Sequence, residues 1–474
     1  MLWRKGGAVL LAAVAVMNGA ALSGCSGAAP AYRMKGRTAV FAEDSDFKGG
    51  RFEGTAVSAG GIALTEGRKE GFYQSGTIAA DPFQSLLLSC NADTPGDSSV
   101  RIELQVERDG KWSGWLNWGV WGFSARSGSN LSSERDEIAG IDEDVLTVSD
   151  GKTAEALRYR LTMDRNASEE SPAVRCVAVS VRGEGEAAAA AENPAPKVPG
   201  KILDVPAFSQ MTRDPKIAAE ICSPTSVAMV LNYYGVSVLP EEAAWGGYDN
   251  AGLLFGNWAF NCAYAGSYGF TAYAEYVGSP DDLKREIAQG HPVILSVRYK
   301  NDESVEADLP VLHGAPIDKT EGHLLVVCGF AARDGKEYAV VNDPAAASDG
   351  EVRREVAADE LENASFHVAY VIHPGGGPAA EPRRLKAELA PTGKTRAGLD
   401  GTDSEYRLVS GGNTVDVSRN NARTILFTSD GKRYRYLTPA SEKTLWLGAG
   451  LEKGTCDFLI VCADRKVYAA RLKT

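Results

Sequence analysis

Cys222 stands in Ile221-Cys222-Ser223-Pro224-Thr225-Ser226, directly before an apolar run, Val227-Ala228-Met229-Val230-Leu231, that closes on Tyr233-Tyr234-Gly235. A thiol attacks as its thiolate, and the first turn of a helix favours that form through unpaired N–H groups and a positive dipole end. A nucleophile also needs a base, a group that orients the base, and donors for an oxyanion. The chain offers candidates for all three. His323 heads Gly322-His323-Leu324-Leu325-Val326-Val327-Cys328-Gly329-Phe330, Asp343 stands between Val340-Val341-Asn342 and Pro344, and Gln210 ends Val205-Pro206-Ala207-Phe208-Ser209-Gln210. Together they describe acyl transfer through a thioester, a chemistry that requires no metal and no organic cofactor.

These side chains need particular elements under them. The spacing predicts a helix from near Pro224 or Thr225, with Ser223 or Thr225 as cap, with Val227, Val230, Leu231 and Tyr234 on one face, and with Gly235 as its stop. The run after Gly322 reads as a buried strand with the imidazole at its start, at the edge of a sheet. A second strand, Tyr338 to Val341, must end where Pro344 cannot continue pairing. A hairpin of the two would bring Asp343 to His323. Of the other histidines, His291 in Gly290-His291-Pro292 reads as a turn residue before the strand Val293-Ile294-Leu295-Ser296-Val297, and His313, His367 and His373 have no comparable setting.

In this order, the pieces resemble the papain-like cysteine peptidases of the group that includes the bacteriocin double-glycine-leader peptidases, family C-39, and its extracytoplasmic relatives. The resemblance runs from about Ile202 to Pro374. It is carried by Val-Pro-x-x-Ser-Gln, Cys-x-Pro-Thr-Ser before Ala-Met-Val-Leu-x-Tyr-Tyr-Gly, Gly-His-Leu-Leu-Val-Val-x-Gly-Phe, and Val-Asn-Asp-Pro-Ala. It implies Cys222 as nucleophile, His323 as base and acid, Asp343 as orienter and Gln210 at the oxyanion hole. Two departures stand out. Many relatives carry Gly where this chain has Ile221, a larger residue that would narrow access to the thiol. The Gln210 to Cys222 interval is longer than the papain spacing and includes the charged insert Thr212-Arg213-Asp214-Pro215-Lys216.

At the N-terminus, Trp3-Arg4-Lys5 is followed by an apolar stretch from Ala8 to Met17 and by Leu22-Ser23-Gly24-Cys25. This resembles a bacterial lipoprotein signal over residues 1–25. It implies a lipidated Cys25 at the mature N-terminus and an extracytoplasmic protein held to the membrane by its lipid. No later segment approaches the ~20 continuous apolar residues of a membrane-spanning helix. The formal net charge of -12 argues against nucleic acid as a partner. Seven further cysteines are an odd number; pairing Cys90 with Cys176, Cys456 with Cys462 and Cys262 with Cys328 would leave Cys222 free, though spacing establishes none of these bonds. No Cys-x-x-Cys or His-x-x-x-His spacing suggests zinc.

A chain of 474 residues exceeds one ordinary core. Composition breaks at residues 183–200 and again at 375–384, which gives a multidomain α+β protein: a β-sandwich over 40–182, a papain-like peptidase domain over 201–374 and a small β-domain over 385–474. Trp112, Trp115, Trp118 and Trp121 crowd one part of the sandwich. They suggest either a stacking platform for glycan or peptide or, preferably, hairpin side chains covering a sandwich face. Neither flanking module holds a nucleophile and base of its own, so both are expected to position substrate, and both linkers are expected to let each module fold alone. The reading is an extracytoplasmic thiol-dependent peptidase or amide hydrolase acting on peptide, protein or cell-wall peptide. A non-catalytic surface-binding lipoprotein and a cell-wall amidase or transpeptidase using the same thiol are the alternatives; the oligomeric state stays open.

Overall fold

The structure, a computed structural model, describes residues 32–58, 60–122, 128–129, 134–183, 196, 198, 200–375, 381–398, 401–417, 422–431, 434–437, 444–448, 454–462 and 465–473. Residues 1–25, where the sequence resembles a lipoprotein signal, lie outside the described residues, as does most of the first linker. Among the described residues no helix is long and apolar enough to cross a membrane.

Two sheets of nine and seven strands form the N-terminal sandwich. Alternation builds its inner face: in Ser99–Arg108 the side chains of Val100, Ile102, Leu104 and Val106 point inward and pack with Leu157, Tyr159 and Leu161 of Ala154–Asp164. The sandwich begins ahead of residue 40, because Thr38–Phe41 already pairs with Ala173–Arg182. Trp118 and Trp121 are core residues. Trp112 and Trp115 lie under guanidinium groups, with Arg158 4.3 Å from the Trp112 ring and Arg160 4.4 Å from that of Trp115. The tryptophans thus cover a sandwich face, as preferred, and do not form an open stacking platform.

The central domain is a six-stranded antiparallel sheet with helices against it. In chain order its elements are α1 (Cys222–Tyr233), α2 (Pro240–Gly246), α3 (Trp258–Gly266), β1 (Thr271–Tyr276), α4 (Pro280–Gln289), β2 (Val293–Lys300), β3 (Lys319–Arg333), β4 (Lys336–Asn342), β5 (Arg353–Ala357), α5 (Ala358–Ala364) and β6 (Ser365–His373). The strands lie in the order β1-β6-β2-β3-β4-β5. The C-terminal domain is an eight-stranded sheet whose long strand Arg384–Gly398 pairs with Gly401–Ser410 and, in parallel, with Val467–Lys473.

The modules do not stand apart, which corrects the expectation that each folds alone. One hydrophobic core runs from Met34 in the sandwich to Ile372 at the end of β6. Strand Ser85–Asp93 explains why: its residues from Ser85 to Ala92 are all buried, because one face packs in the sandwich and the other against α3 and β1. Strand β1 is an edge strand whose outward N–H groups need partners. Side chains of the sandwich supply them. Asn91 Oδ1 accepts from the Ala272 N–H (2.9 Å) while its Nδ2 donates to the Ala272 carbonyl (2.8 Å); Ser89 Oγ accepts from Ala274 N–H (3.0 Å) and Ser180 Oγ from Tyr276 N–H (2.9 Å).

Two further expectations change. Cys90, Cys176, Cys262 and Cys328 are buried free thiols and not disulfide partners. Burial pushes the Cys176 and Cys328 thiols up to about 12, so these four sulfurs serve as small core side chains.

If the side-chain cap on β1 joins the two domains, Asn91→Ala leaves two buried backbone groups of Ala272 unpaired and should destabilise the protein by about 2–4 kcal/mol. Urea unfolding at an unchanged m value measures this; a loss below about 0.5 kcal/mol would show the cap to be incidental.

Candidate active site

Helix α1 begins at Cys222 itself, with Ile221 as its cap residue, two or three residues earlier than the sequence spacing predicts. No side chain caps it. Ser223 and Thr225 are therefore not caps: the Ser223 hydroxyl shares a 2.9 Å hydrogen bond with the Tyr370 hydroxyl on β6, and one turn on, Ser226 Oγ donates to the Leu324 carbonyl on β3 (3.3 Å). The polar groups of the first turn fasten the helix to the sheet, and the Ser223 N–H is turned toward the thiol. Gly235 ends the helix as predicted, at φ +93°, with its N–H on the Asn232 carbonyl.

Strand β3 starts at Lys319 and lies between β2 and β4, so His323 is neither at a strand start nor at a sheet edge. It sits opposite Val297 of β2 and is only 2% exposed. On the other side β4 ends at Asn342, opposite Val326, before reaching the level of His323. The chain turns at Asp343-Pro344, and the carboxylate takes the vacated place: His323 Nε2 and Asp343 Oδ1 are 2.7 Å apart, both buried. Asp343 Oδ1 also accepts the Ala345 N–H at 3.0 Å. The other imidazole nitrogen is left for the Cys222 thiol, which shares a hydrogen bond with His323.

This chain of groups sets the charges. Burial of Cys222 works against its ionisation, yet the hydrogen bond and charge of His323, with N–H groups of Leu324 and Ser223, hold the thiol below its ordinary value. Burial likewise opposes charge on His323, but the Asp343 carboxylate beside it and the thiolate raise it to about 10. Both shifts favour the thiolate and the imidazolium over the neutral pair. Cys222 is half-buried, in contrast to the four inert core thiols.

Ile221 does not narrow access to the thiol. It is fully buried in a small satellite core with Ile217, Ala244 and Phe255. Gln210 is buried in a short turn, Gln210–Thr212; its N–H donates to the Pro344 carbonyl (2.8 Å), its Nε2 donates to the Ala218 carbonyl (2.8 Å), and among the described residues its Oε1 has no partner. The structure thus ties Gln210 to the turn that carries Asp343. Among the described residues it makes no hydrogen bond between Gln210 and Cys222, and one N–H of the amide remains uncommitted. Sequence reasoning missed Tyr299, whose buried ring packs edge-on to His323 at 6.3 Å, and the Ser223–Tyr370 anchor. Only the register of β2 and β6 brings those tyrosines there, and no local pattern marks them.

Residues 202–370 match the model of the peptidase C39-like family, and residues 37–181 that of the peptidase C39 N-terminal domain. A crystal structure of a C39-like peptidase from Bacillus anthracis is similar at 15% identity, covering 38% of this chain and 99% of that one, with a TM-score of 0.27. No curated protein matches. The chain carries a C39-like domain of the cysteine peptidase type. Ahead of it stands a domain that matches the N-terminal domain of C39 peptidases.

The thiolate–imidazolium pair exists between the two titrations: below the first the thiolate gains a proton, and above about 10 the imidazolium loses one. Reaction at this site should therefore rise with pH on an acid limb below the ordinary thiol range and fall on a basic limb near pH 10. Asp343→Asn removes the charge that raises His323 and should move the basic limb to lower pH. A pH profile of kcat/KM for parent and variant checks the shift; an unmoved limb would mean that Asp343 does not set the imidazole charge.

Proposed function

We propose that this protein is an extracytoplasmic, lipid-anchored cysteine peptidase that hydrolyses peptide bonds in a peptide, protein or cell-wall peptide substrate. The observation that carries the reading is the chain Cys222, His323, Asp343, with 2.7 Å between His323 Nε2 and Asp343, at the N-terminus of α1 in a C39-like domain.

In the proposed reaction the Cys222 thiolate attacks the amide carbonyl carbon, and the C=O electron pair moves onto oxygen. The Cys222 N–H at the start of α1 and the uncommitted Gln210 N–H would hold that oxyanion. His323 gives its proton to the leaving nitrogen, the C–N bond breaks, and a thioester remains. Neutral His323 then takes a proton from water as the water oxygen attacks the thioester carbonyl. Collapse releases the carboxylic acid and restores thiolate and imidazolium. Asp343 holds the imidazole in place and keeps it charged at rest.

The test is hydrolysis of a fluorogenic peptide library by the full-length protein. Cys222→Ala should lower kcat/KM by about 10⁴-fold or more while the melting temperature holds. Gln210→Ala should lower kcat by about 10²-fold if its amide is an oxyanion donor. Hydrolysis that persists in Cys222→Ala, or a wild-type protein that neither cleaves peptides nor reacts at Cys222 with an electrophilic epoxide, would overturn the reading and favour a binding lipoprotein.

The anchor is a separate proposal, resting on Leu22-Ser23-Gly24-Cys25 after the apolar stretch. Protein extracted from membranes should lack residues 1–24 and carry a diacylglyceryl group on Cys25. Detection of Met1 or unmodified Cys25 by mass spectrometry would refute it.

A further inference from the structure

At the end of the central sheet remote from the thiol, three side chains from three elements converge on one point. Glu286 Oε2 lies 3.1 Å from His291 Nδ1 and 2.7 Å from His373 Nε2, the two imidazole rings are 4.2 Å apart, and the three ligand atoms all fall within 4.8 Å of one another. We infer that Glu286, His291 and His373 form a binding site for a divalent transition-metal cation of the zinc class.

Ligand chemistry and rigidity both support this. Two imidazoles and one carboxylate are a recurrent set for zinc, with bonds of about 2.0–2.2 Å that place neighbouring ligand atoms roughly 3 Å apart, close to the spacing here. Such a set leaves a fourth position for water. Each ligand is fixed by backbone. Glu286 lies in the last turn of α4, which ends at Gly290 in the left-handed conformation, and the His291 N–H returns to the Glu286 carbonyl at 3.0 Å. That helix cap folds His291 back over Glu286. His373 closes β6, held opposite Thr271 of β1, and Tyr273 packs edge-on to its ring at 6.2 Å. The carbonyl end of the ten-residue α4 adds negative potential for a cation. The side chains are 19–28% exposed, open enough for an ion to enter and covered enough to hold its ligands. No short sequence motif shows the set, because the third ligand is supplied by the far end of the domain.

The site is separate from the thiol. His291 precedes β2, and Val297 of β2 pairs with His323, so the two lie about six residues apart along one strand, roughly 20 Å. A cation here would brace the end of α4, the start of β2 and the end of β6, just before the chain passes on to the C-terminal domain.

The test uses the full-length protein as Cys222→Ser, so that the active-site thiolate cannot compete for metal. Titration with zinc should give one equivalent bound and a raised Tm, and cobalt(II) should show visible ligand-field bands without sulfur charge transfer. His373→Ala and Glu286→Gln should weaken binding by about tenfold or more, while His313→Ala, in an exposed cluster with Glu303 and Glu360 elsewhere, should not. No zinc binding, binding unchanged in His373→Ala and Glu286→Gln, or a cobalt spectrum with sulfur ligation would overturn the proposal. Should those variants fail to fold without metal, the cobalt spectrum of the Cys222→Ser protein decides alone.

Discussion

A buried imidazole beside a buried carboxylate constrains the rest of this molecule. Charging both groups away from water carries a desolvation penalty of several kcal/mol per ion, offset only when geometry and hydrogen bonding are good. His323 and Asp343 meet that condition at 2.7 Å, with the Ala345 N–H on the same carboxylate oxygen. The geometry follows from one register. Strand β4 stops opposite Val326, Pro344 turns the chain, and the carboxylate enters the gap beside β3. Because β3 is interior to the sheet, both its neighbours must be in place for the imidazole to be held. Helix α1 must then dock at one height on that sheet, through Ser223 on Tyr370 and Ser226 on Leu324, for the thiol to reach the ring.

Beneath the site, the sandwich acts as the missing neighbour of a sheet edge. Three alternate N–H groups of β1 end on Asn91, Ser89 and Ser180, side chains that stand where the backbone of another strand would otherwise pair. An uncovered edge strand invites pairing with other chains, and polar side chains from a packed neighbour close it without extending the sheet. Strand Ser85–Asp93 shows the other half of this arrangement. Its unbroken burial follows from contact on both faces, and a strand of one free-standing sandwich would instead alternate with solvent.

Local chemistry was legible in the sequence, and long-range register was not. The run after His323, the Asp-Pro stop and the glycine that ends α1 each follow from short-range rules, and the structure brings Cys222, His323 and Asp343 together as those rules imply. The spacing puts the helix start too late because Ser223 and Thr225 look like caps in isolation, whereas in the fold the Ser223 hydroxyl bonds to Tyr370 on a strand far along the chain. His323 reads as a strand start because the four residues before it, Lys319-Thr320-Glu321-Gly322, lack apolar side chains and give no strand signal. They are nonetheless part of β3, with Lys319 and Glu321 exposed where the strand runs past β4. Domain contacts are illegible for a related reason: linker composition reports how a connection behaves, and says nothing of which faces meet across it.

The long interval between Gln210 and Cys222 finds its physical explanation in the third domain. Asp214 in the insert accepts a hydrogen bond from the Thr424 hydroxyl of the C-terminal sheet (3.0 Å), and Trp245 of α2 donates to the same hydroxyl (2.8 Å). Arg384 grips Glu242 with two hydrogen bonds, of 2.8 and 2.6 Å, and buried Arg465 donates to carbonyls of Gly122 in the sandwich and Gly246 in the central domain while lying over the Trp121 ring. The insert is thus a docking surface. Its far side reaches the site, because the Asp214 carbonyl holds the N–H groups of Ile217 and Ala218, and the Ala218 carbonyl holds the Gln210 amide. Three hydrogen-bonded steps connect a threonine of the C-terminal domain to the glutamine beside the Asp343 turn. The chain departs from papain-like spacing where it gains a contact with its own third domain, so that domain helps to position the segment that carries Gln210.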